Sequence, residues 1–254
     1  MKSKKSLHRF SFFVLRSSFL AFLALAGCDA HHAGASAEWT CMGTNAKLLC
    51  RNAADIEVAD RVKKLFADIE TLLSAHNSES ELARLAKLTD AEVLENCDSL
   101  VRPCYEAAFR YREMTGGVFN PRWRGAGTMD LGAIAKGFAV DLACELVGDR
   151  EVLIDLGGNM KSCGGTWRVG IYGSDRILSL GKGEACATSG EYFRGAHIKD
   201  GRDGSEVKKG GFSVTVVHCT SAMAAYALST VLWITKERDA AKYDAGAKEA
   251  IWQE

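Results

Sequence analysis

The chain has 254 residues, of which 47% are hydrophobic and 25% charged, and its 32 Lys+Arg balance 32 Asp+Glu. This is the makeup of an ordinary globular protein, long enough for one large domain or two small ones. With no net charge there is no global field to recruit nucleic acid, and no nucleic-acid partner is expected.

The N-terminus departs from that average. Lys2, Lys4, Lys5, Arg9 and Arg16 flank and precede an apolar run over residues 17–26, too brief to span a bilayer as a mature helix. The run ends in Leu25-Ala26-Gly27-Cys28, which resembles the bacterial lipobox, in which the cysteine is diacylated and becomes the first residue after cleavage. An ordinary signal peptide, or a buried helix that ends near a cysteine, is the alternative. On the lipobox reading residues 1–27 are a signal peptide, Cys28 carries lipid, and the small polar residues up to 37 form a tether. Lipid chains contribute roughly 0.8 kcal/mol per buried CH₂, so the chain is expected on the outer face of a bacterial cell membrane. Asp29, next to the cysteine, resembles an inner-membrane retention signal.

Eight further cysteines stand at 41, 50, 97, 104, 144, 163, 186 and 219. An even count outside the cytoplasm permits disulfides. Cys97 and Cys104 are the nearest local pair, with Pro103 shaping the turn, and Cys41/Cys50 and Cys163/Cys186 are candidates at hairpin scale. Several of the eight can equally be small buried hydrophobes. No Cys/His spacing suits zinc.

Beyond the tether, residues 38–52 suggest a strand or hairpin. Val58, Val62, Leu65, Phe66, Ile69, Leu72 and Leu73 repeat at helical spacing. A second helix is predicted from about Ser99 to Thr115, stopped by Gly116-Gly117. Residues 128–132 suggest a strand end and turn, and 133–147 a helix rich in small residues. Short strands are predicted over 151–156, 167–171, 177–180, 185–188 and 213–217. A nearly all-apolar helix is predicted over 221–234, and the charged tail after Lys236 is expected at the periphery. The pattern is a mixed α/β or α+β domain around one continuous core, spanning 38–254.

Phosphate-loop, dinucleotide, nucleophile-elbow and His-Glu-x-x-His motifs are all absent. What remains is a set of glycine-bounded polar segments. In Asp130-Leu-Gly-Ala-Ile-Ala-Lys-Gly-Phe-Ala-Val-Asp141 a helix N-terminus follows a turn, where unpaired N–H groups, the helix dipole and Lys136 favour an anion. The alternative is a packed helix with Gly137 as a close-approach point and Lys136 in solvent. Residues 187–194 and 196–204 gather hydroxyls, His197, arginines and turn glycines. Ser221 suits an N-cap, and Tyr226 and Thr230 share a helix face at i and i+4.

Taken in order, these segments resemble the FAD:protein FMN transferases of the ApbE family over most of residues 41–235. The matching stretches are Met42-Gly-Thr44, the loop over residues 74–82, the segment 130–141, Leu156-Gly-Gly-Asn159, Ala187-Thr-Ser-Gly190, His197-Ile-Lys-Asp200 and Ser213-Val-Thr-Val216. The resemblance implies an α+β flavin transferase domain with mixed sheets and packed helices. It implies an enzyme that cleaves FAD with Mg²⁺, joins the FMN half to a Thr or Ser hydroxyl of an exported flavoprotein acceptor, and releases AMP. Met42, His76, Val118, Phe119, Asp130, Lys136 and Ile198 would line FAD. Ala133 (by its carbonyl), position 226 and Thr230 would hold magnesium, and His197 would assist proton transfer.

The chain departs from that pattern in places. Ala225-Tyr-Ala-Leu-Ser-Thr230 stands where the family has Ala-Asp-Ala-Leu-x-Thr, so Tyr226 replaces a carboxylate. A neutral phenol is a poor ligand for a hard ion. Asn120 replaces an Asp, Gly201 and Asp203 replace a Pro and a Thr, and a long connection is missing between Pro121 and Asp130. These changes keep open a second reading, a catalytically weakened FAD-binding lipoprotein.

Overall fold

The computed structural model describes residues 34–171, 173–191, 198–207 and 213–253. The segment expected to hold a leader and a lipobox at Cys28, and the candidate His197, lie outside the described residues. A seven-stranded antiparallel sheet forms the centre. It begins with the hairpin β1 (Ala35–Cys41) and β2 (Thr44–Cys50), so β1 takes in the last three residues assigned to the tether. Their two-residue turn has φ of 47° at Met42 and 66° at Gly43, the positive pair that matches hairpin twist. Glycine adopts that conformation freely, whereas Met42 is strained.

A 3-10 turn over Ala53–Val58 leads into α1 (Ala59–Leu73), whose buried Val62, Phe66, Ile69 and Leu73 confirm the helical repeat. Two short helices follow that periodicity did not reveal, α2 (Glu81–Leu85) and α3 (Asp90–Asn96). Next come α4 (Arg102–Met114), with Pro103 in its first turn, and α5 (Ala135–Val147). Residues 128–132 carry no strand; they are turns tied back by the Asp130 amide to the Pro121 carbonyl at 2.7 Å.

The remaining strands are β3 (Val152–Leu156), β4 (Asn159–Ser162), β5 (Trp167–Gly170), β6 (Ile177–Leu180), β7 (Ala185–Gly190) and β8 (Ser213–His218). Then come α6 (Ala222–Thr235) and β9 (Ala247–Gln253). The main sheet runs β1-β2-β3-β4-β7-β8-β9, and β5 and β6 form a separate hairpin. The tail after Lys236 is thus no peripheral appendage, because β9 pairs along the whole of β8.

The single core expected from the sequence is in fact two, one on each face of the sheet. Ala46, Leu48, Ile154, Leu156, Ala187, Val214 and Val216 face the helices. Their alternate neighbours Leu49, Leu153, Cys186 and Val217 face Trp167, Val169, Leu178 and Leu180 of the β5–β6 hairpin. Burial on both faces explains why every residue of β8 is buried. It likewise explains α6, which is apolar nearly all round because it packs against β7, β8 and α5. Among the described residues no helix is long and apolar enough to cross a membrane.

The disulfide expectations are corrected. Cys144 of α5 bonds to Cys163, just after β4, with Cα atoms 4.9 Å apart. Cys163 belongs to the helix-side core and Cys186 to the hairpin side, so those two cannot meet. Cys41 and Cys50 sit at opposite ends of their hairpin, opposite Thr44 and Ala35 respectively, about 20 Å apart at ~3.3 Å per residue. Burial pushes both thiols up to about 11, as befits inert packing groups. Cys97 ends α3 while Cys104 is fully buried in α4, and neither is bridged.

Candidate functional site

The motif 130–141 turns at Asp130-Leu-Gly-Ala and enters α5, with Lys136 in the first turn. Asp130 Oδ1 accepts the Gly132 amide at 2.8 Å, and its Oδ2 pairs with Arg124 at 3.3 Å. Gly137 sits where α5 meets the start of α6: a Cβ there would lie 2.3 Å from the Ala222 carbonyl oxygen. That close approach sets α5 against α6 and carries Lys136 to Tyr226. Lys136 is not in solvent; only 8% of it is exposed. Its Nζ donates to Tyr226 Oη at 2.7 Å and, more weakly, to the Gly132 carbonyl at 3.4 Å. The same ammonium lies 4.6 Å from the centroid of the Tyr226 ring. Tyr226 Oη in turn donates to the Gly132 carbonyl at 2.8 Å. The phenol thus spends its proton on the turn and a lone pair on the lysine.

One turn further along α6, Thr230 Oγ1 donates to the Tyr226 carbonyl at 3.3 Å and lies 3.2 Å from Ser189 Oγ on β7. Ser189 also lies 2.8 Å from Ser229 Oγ. Ala133 is partly buried in the turn before α5. Asp130, Lys136 and Tyr226 therefore share the Gly132 turn at the seam between α5 and α6, with Ala133 next to that turn in sequence and Thr230 one turn along α6, against β7.

The positions that resemblance assigns to magnesium do not fit that ion. Magnesium favours charged oxygen ligands in near-octahedral array. Here the three positions offer a carbonyl, a phenol already bonded to an ammonium, and a hydroxyl engaged with backbone and serine. Two like unit charges 4 Å apart repel by about 4 kcal/mol at an effective dielectric near 20, and a divalent ion doubles that against Lys136. Among the described residues no three His, Cys, Asp or Glu side chains gather into a metal-binding group.

Other expected residues fall into separate groups. Val118 and Phe119 are buried just after α4, and the Val118 carbonyl accepts the Gly201 amide at 3.0 Å. The buried Ile198 belongs to the same turn region through the Val207 amide, which donates to its carbonyl at 3.1 Å. This patch connects to Asp130 through Pro121. Met42 lies at the β1–β2 turn, beside the β3–β4 turn: a Cβ on Gly157 would come 2.5 Å from Thr44 Oγ1. The Met42-Gly-Thr44 and Leu156-Gly-Gly-Asn159 motifs are thereby neighbours. His76 is exposed on the loop before α2, its amide donating to Ser74 Oγ at 3.3 Å.

One residue that carries the seam, Asp141, had no role assigned from sequence. Asp141 accepts from Ser221 Oγ, the amides of Ala222 and Met223, and Lys161 Nζ. It thus caps α6 from α5, and the signal was its place at the end of the conspicuous motif opposite a recognisable N-cap serine. A surface cleft lined by Arg176, Ile177, Leu180, Val217 and Lys248 lies on the hairpin side of the sheet, away from this seam.

Comparison with known proteins fits this geometry. A curated FAD:protein FMN transferase of Rhodobacter capsulatus is 34% identical over 131 residues. That alignment takes in 44% of this chain and 25% of the relative, so the chain spans about a quarter of that protein's length. The flavin transferase ApbE from Vibrio cholerae superposes with a TM-score of 0.61 at 19% identity, over 79% of this chain and 87% of that one. The ApbE protein of Thermotoga maritima gives 0.66 at 20% identity, over 84% and 92%. At those identities the superpositions establish the fold. The family model described as ApbE family matches residues 122–251, a span that holds both helices of the Lys136–Tyr226 seam and just over half of the sequence, and the chain belongs to that family.

Proposed function

We propose that this chain binds FAD and transfers its FMN half to a Thr or Ser hydroxyl of an exported flavoprotein, releasing AMP. The observation that carries the reading is the buried Lys136 at the first turn of α5, joined to Asp130 through Gly132 and facing α6, within the fold of the ApbE flavin transferases. A pyrophosphate suits that place, where the helix dipole and the ammonium both favour negative charge. In the transfer, the acceptor hydroxyl oxygen bonds to the phosphorus of the FMN half and loses its proton. The bond from that phosphorus to the AMP phosphate oxygen breaks, and AMP leaves with the electron pair. Catalysis then rests on positioning and on charge fixed in advance around the phosphates. His197 is the candidate to take the proton, and Asp130 is suited to hold a ribose or base. The ligand positions do not suit magnesium.

The lipobox at Cys28 supports an extracytoplasmic, membrane-anchored enzyme acting on exported acceptors. The decisive test is intact-mass spectrometry of such an acceptor after incubation with the chain and FAD. A gain of one FMN unit establishes transfer. Bound FAD without any gain favours the second reading, a flavin-binding lipoprotein with weakened catalysis, which Tyr226 in place of a carboxylate supports.

A further inference from the structure

We infer that the nucleotide site of this chain carries its own cation: the Lys136 ammonium, held in place by Tyr226, meets the phosphates of FAD, and FAD binds without a divalent metal. The inference rests on the flavin-nucleotide reading above and goes beyond it in dispensing with a divalent metal and in giving Tyr226 the task of positioning the cation.

Three observations carry it. Lys136 is buried, yet among the described residues no carboxylate pairs with it; its partners are the neutral Tyr226 hydroxyl and the Gly132 carbonyl. A buried cation without a counter-charge is costly, so the site is complete only when an anion arrives. Next, the α5 N-terminus has no side-chain cap: its N-cap is Ile134, and Asp130 spends its oxygens on Gly132 and Arg124. The Ile134 and Ala135 amides already donate to the Leu131 carbonyl, so the ammonium, aided by the helix dipole, is the group left to meet an anion. Lastly, Tyr226 fixes the lysine through its hydroxyl, which accepts from the ammonium while its own proton is held on Gly132. The position that resemblance assigns to a metal-binding carboxylate has become a positioning residue for an internal cation.

The test is FAD binding to the full chain, followed by quenching of flavin fluorescence in excess Mg²⁺ and in excess EDTA. The expected dissociation constant is the same in both, within about twofold. Lys136→Met keeps the stem but removes the charge, and is expected to weaken binding about tenfold or more, the scale of one lost charge-assisted hydrogen bond. Lys136→Arg is expected to retain most of the affinity. A thermal melt of each variant separates loss of binding from loss of fold, and the chelator comparison on the unmodified chain needs no variant at all. Binding of FAD that collapses in EDTA and returns with Mg²⁺ overturns the inference and leaves the flavin reading intact. Wild-type affinity in a folded Lys136→Met variant overturns it as well. Failure to bind FAD under either condition removes the flavin reading itself, and this inference with it.

Discussion

The carboxylate of Asp141, near the middle of α5, accepts a hydrogen bond from Ser221 Oγ at 2.8 Å, and through it α5 holds the start of α6. The same carboxylate accepts the Ala222 and Met223 amides at 2.8 and 3.0 Å and Lys161 Nζ at 2.7 Å. Four donors converge on one side chain. Lys161 and Asp141 are also largely shielded, with side-chain exposures of 12% and 14%. Asp141→Ala leaves two helix amides without an acceptor and the shielded Lys161 ammonium without its counter-charge, with only the Thr220 carbonyl to accept from it, a change that costs about 3–5 kcal/mol. Asp141→Asn keeps one accepting oxygen and loses less. Urea unfolding of the three proteins checks the order; an alanine variant as stable as the parent denies the carboxylate this role.

Gly137→Ala tests the same seam from the other side. In an ordinary exposed helix the exchange gains about 1 kcal/mol. Here the new methyl would stand 2.3 Å from the Ala222 carbonyl oxygen and 2.7 Å from Met223 Cα, both backbone atoms that cannot swing away. The helices must part, at a cost of about 1–3 kcal/mol from overpacking. The separation also draws Tyr226 away from Lys136, so FAD affinity should fall along with the melting temperature. A stabilised variant would mean that α5 and α6 are less tightly apposed than this.

Asp155 on β3 sets a pH dependence. Burial raises its carboxyl from the ordinary 3.8 to about 6, against the pull of the Gly158 amide and of Lys47. A folded-state value above the unfolded one means that the native protein holds the extra proton between those limits. Stability should therefore fall as pH rises from 3.8 to about 6, then stay level with respect to this group. Asp155→Asn retains an acceptor for the Gly158 amide and carries no charge. Its melting temperature relative to the parent should rise across that window and plateau above it. A difference that is flat with pH would place the titration elsewhere.

Much of this arrangement is legible in the sequence, and the exceptions have physical reasons. Helix α1 declares itself by its repeat, and α6 by Ser221 followed by an unbroken apolar run. Helices α2 and α3 have only five and seven residues, too few for a period, although Thr89 and Glu92 spell out the capping box that starts α3. Strand β9 is masked by its lysine and glutamate because only Ile251 is buried at the sheet edge. The glycine-bounded motifs identified the seam, and Gly137 was recognisable as a contact point. That Lys136 would meet Tyr226 was not, since it depends on how two helices cross. The Cys144–Cys163 bridge likewise joins residues from a helix and a strand end that local spacing does not associate.

The departures at Asn120 and Gly201, separate oddities in the sequence, are one feature in the fold. A Cβ on residue 201 would lie 2.5 Å from the Gly117 carbonyl oxygen and 2.6 Å from Asn120 Cβ, so only glycine fits. That approach brings the Gly201 carbonyl to the Asn120 amide, which donates to it at 2.9 Å, while Asn120 Oδ1 accepts the Arg122 amide at 2.9 Å. An aspartate at 120 could still accept from Arg122, but at neutral pH it would turn a charged oxygen toward the carbonyl. Asn120→Asp should therefore cost about 1–3 kcal/mol at pH 7, the penalty of an unsatisfied buried group. The protonated acid can donate, so the native state would hold that proton more tightly than the unfolded chain. The loss should shrink as pH falls below the variant carboxyl's raised value. Denaturation midpoints for both proteins across the acid range decide the matter, and a deficit that persists unchanged into acid would show that the Asn120–Gly201 hydrogen bond is not what joins the two segments.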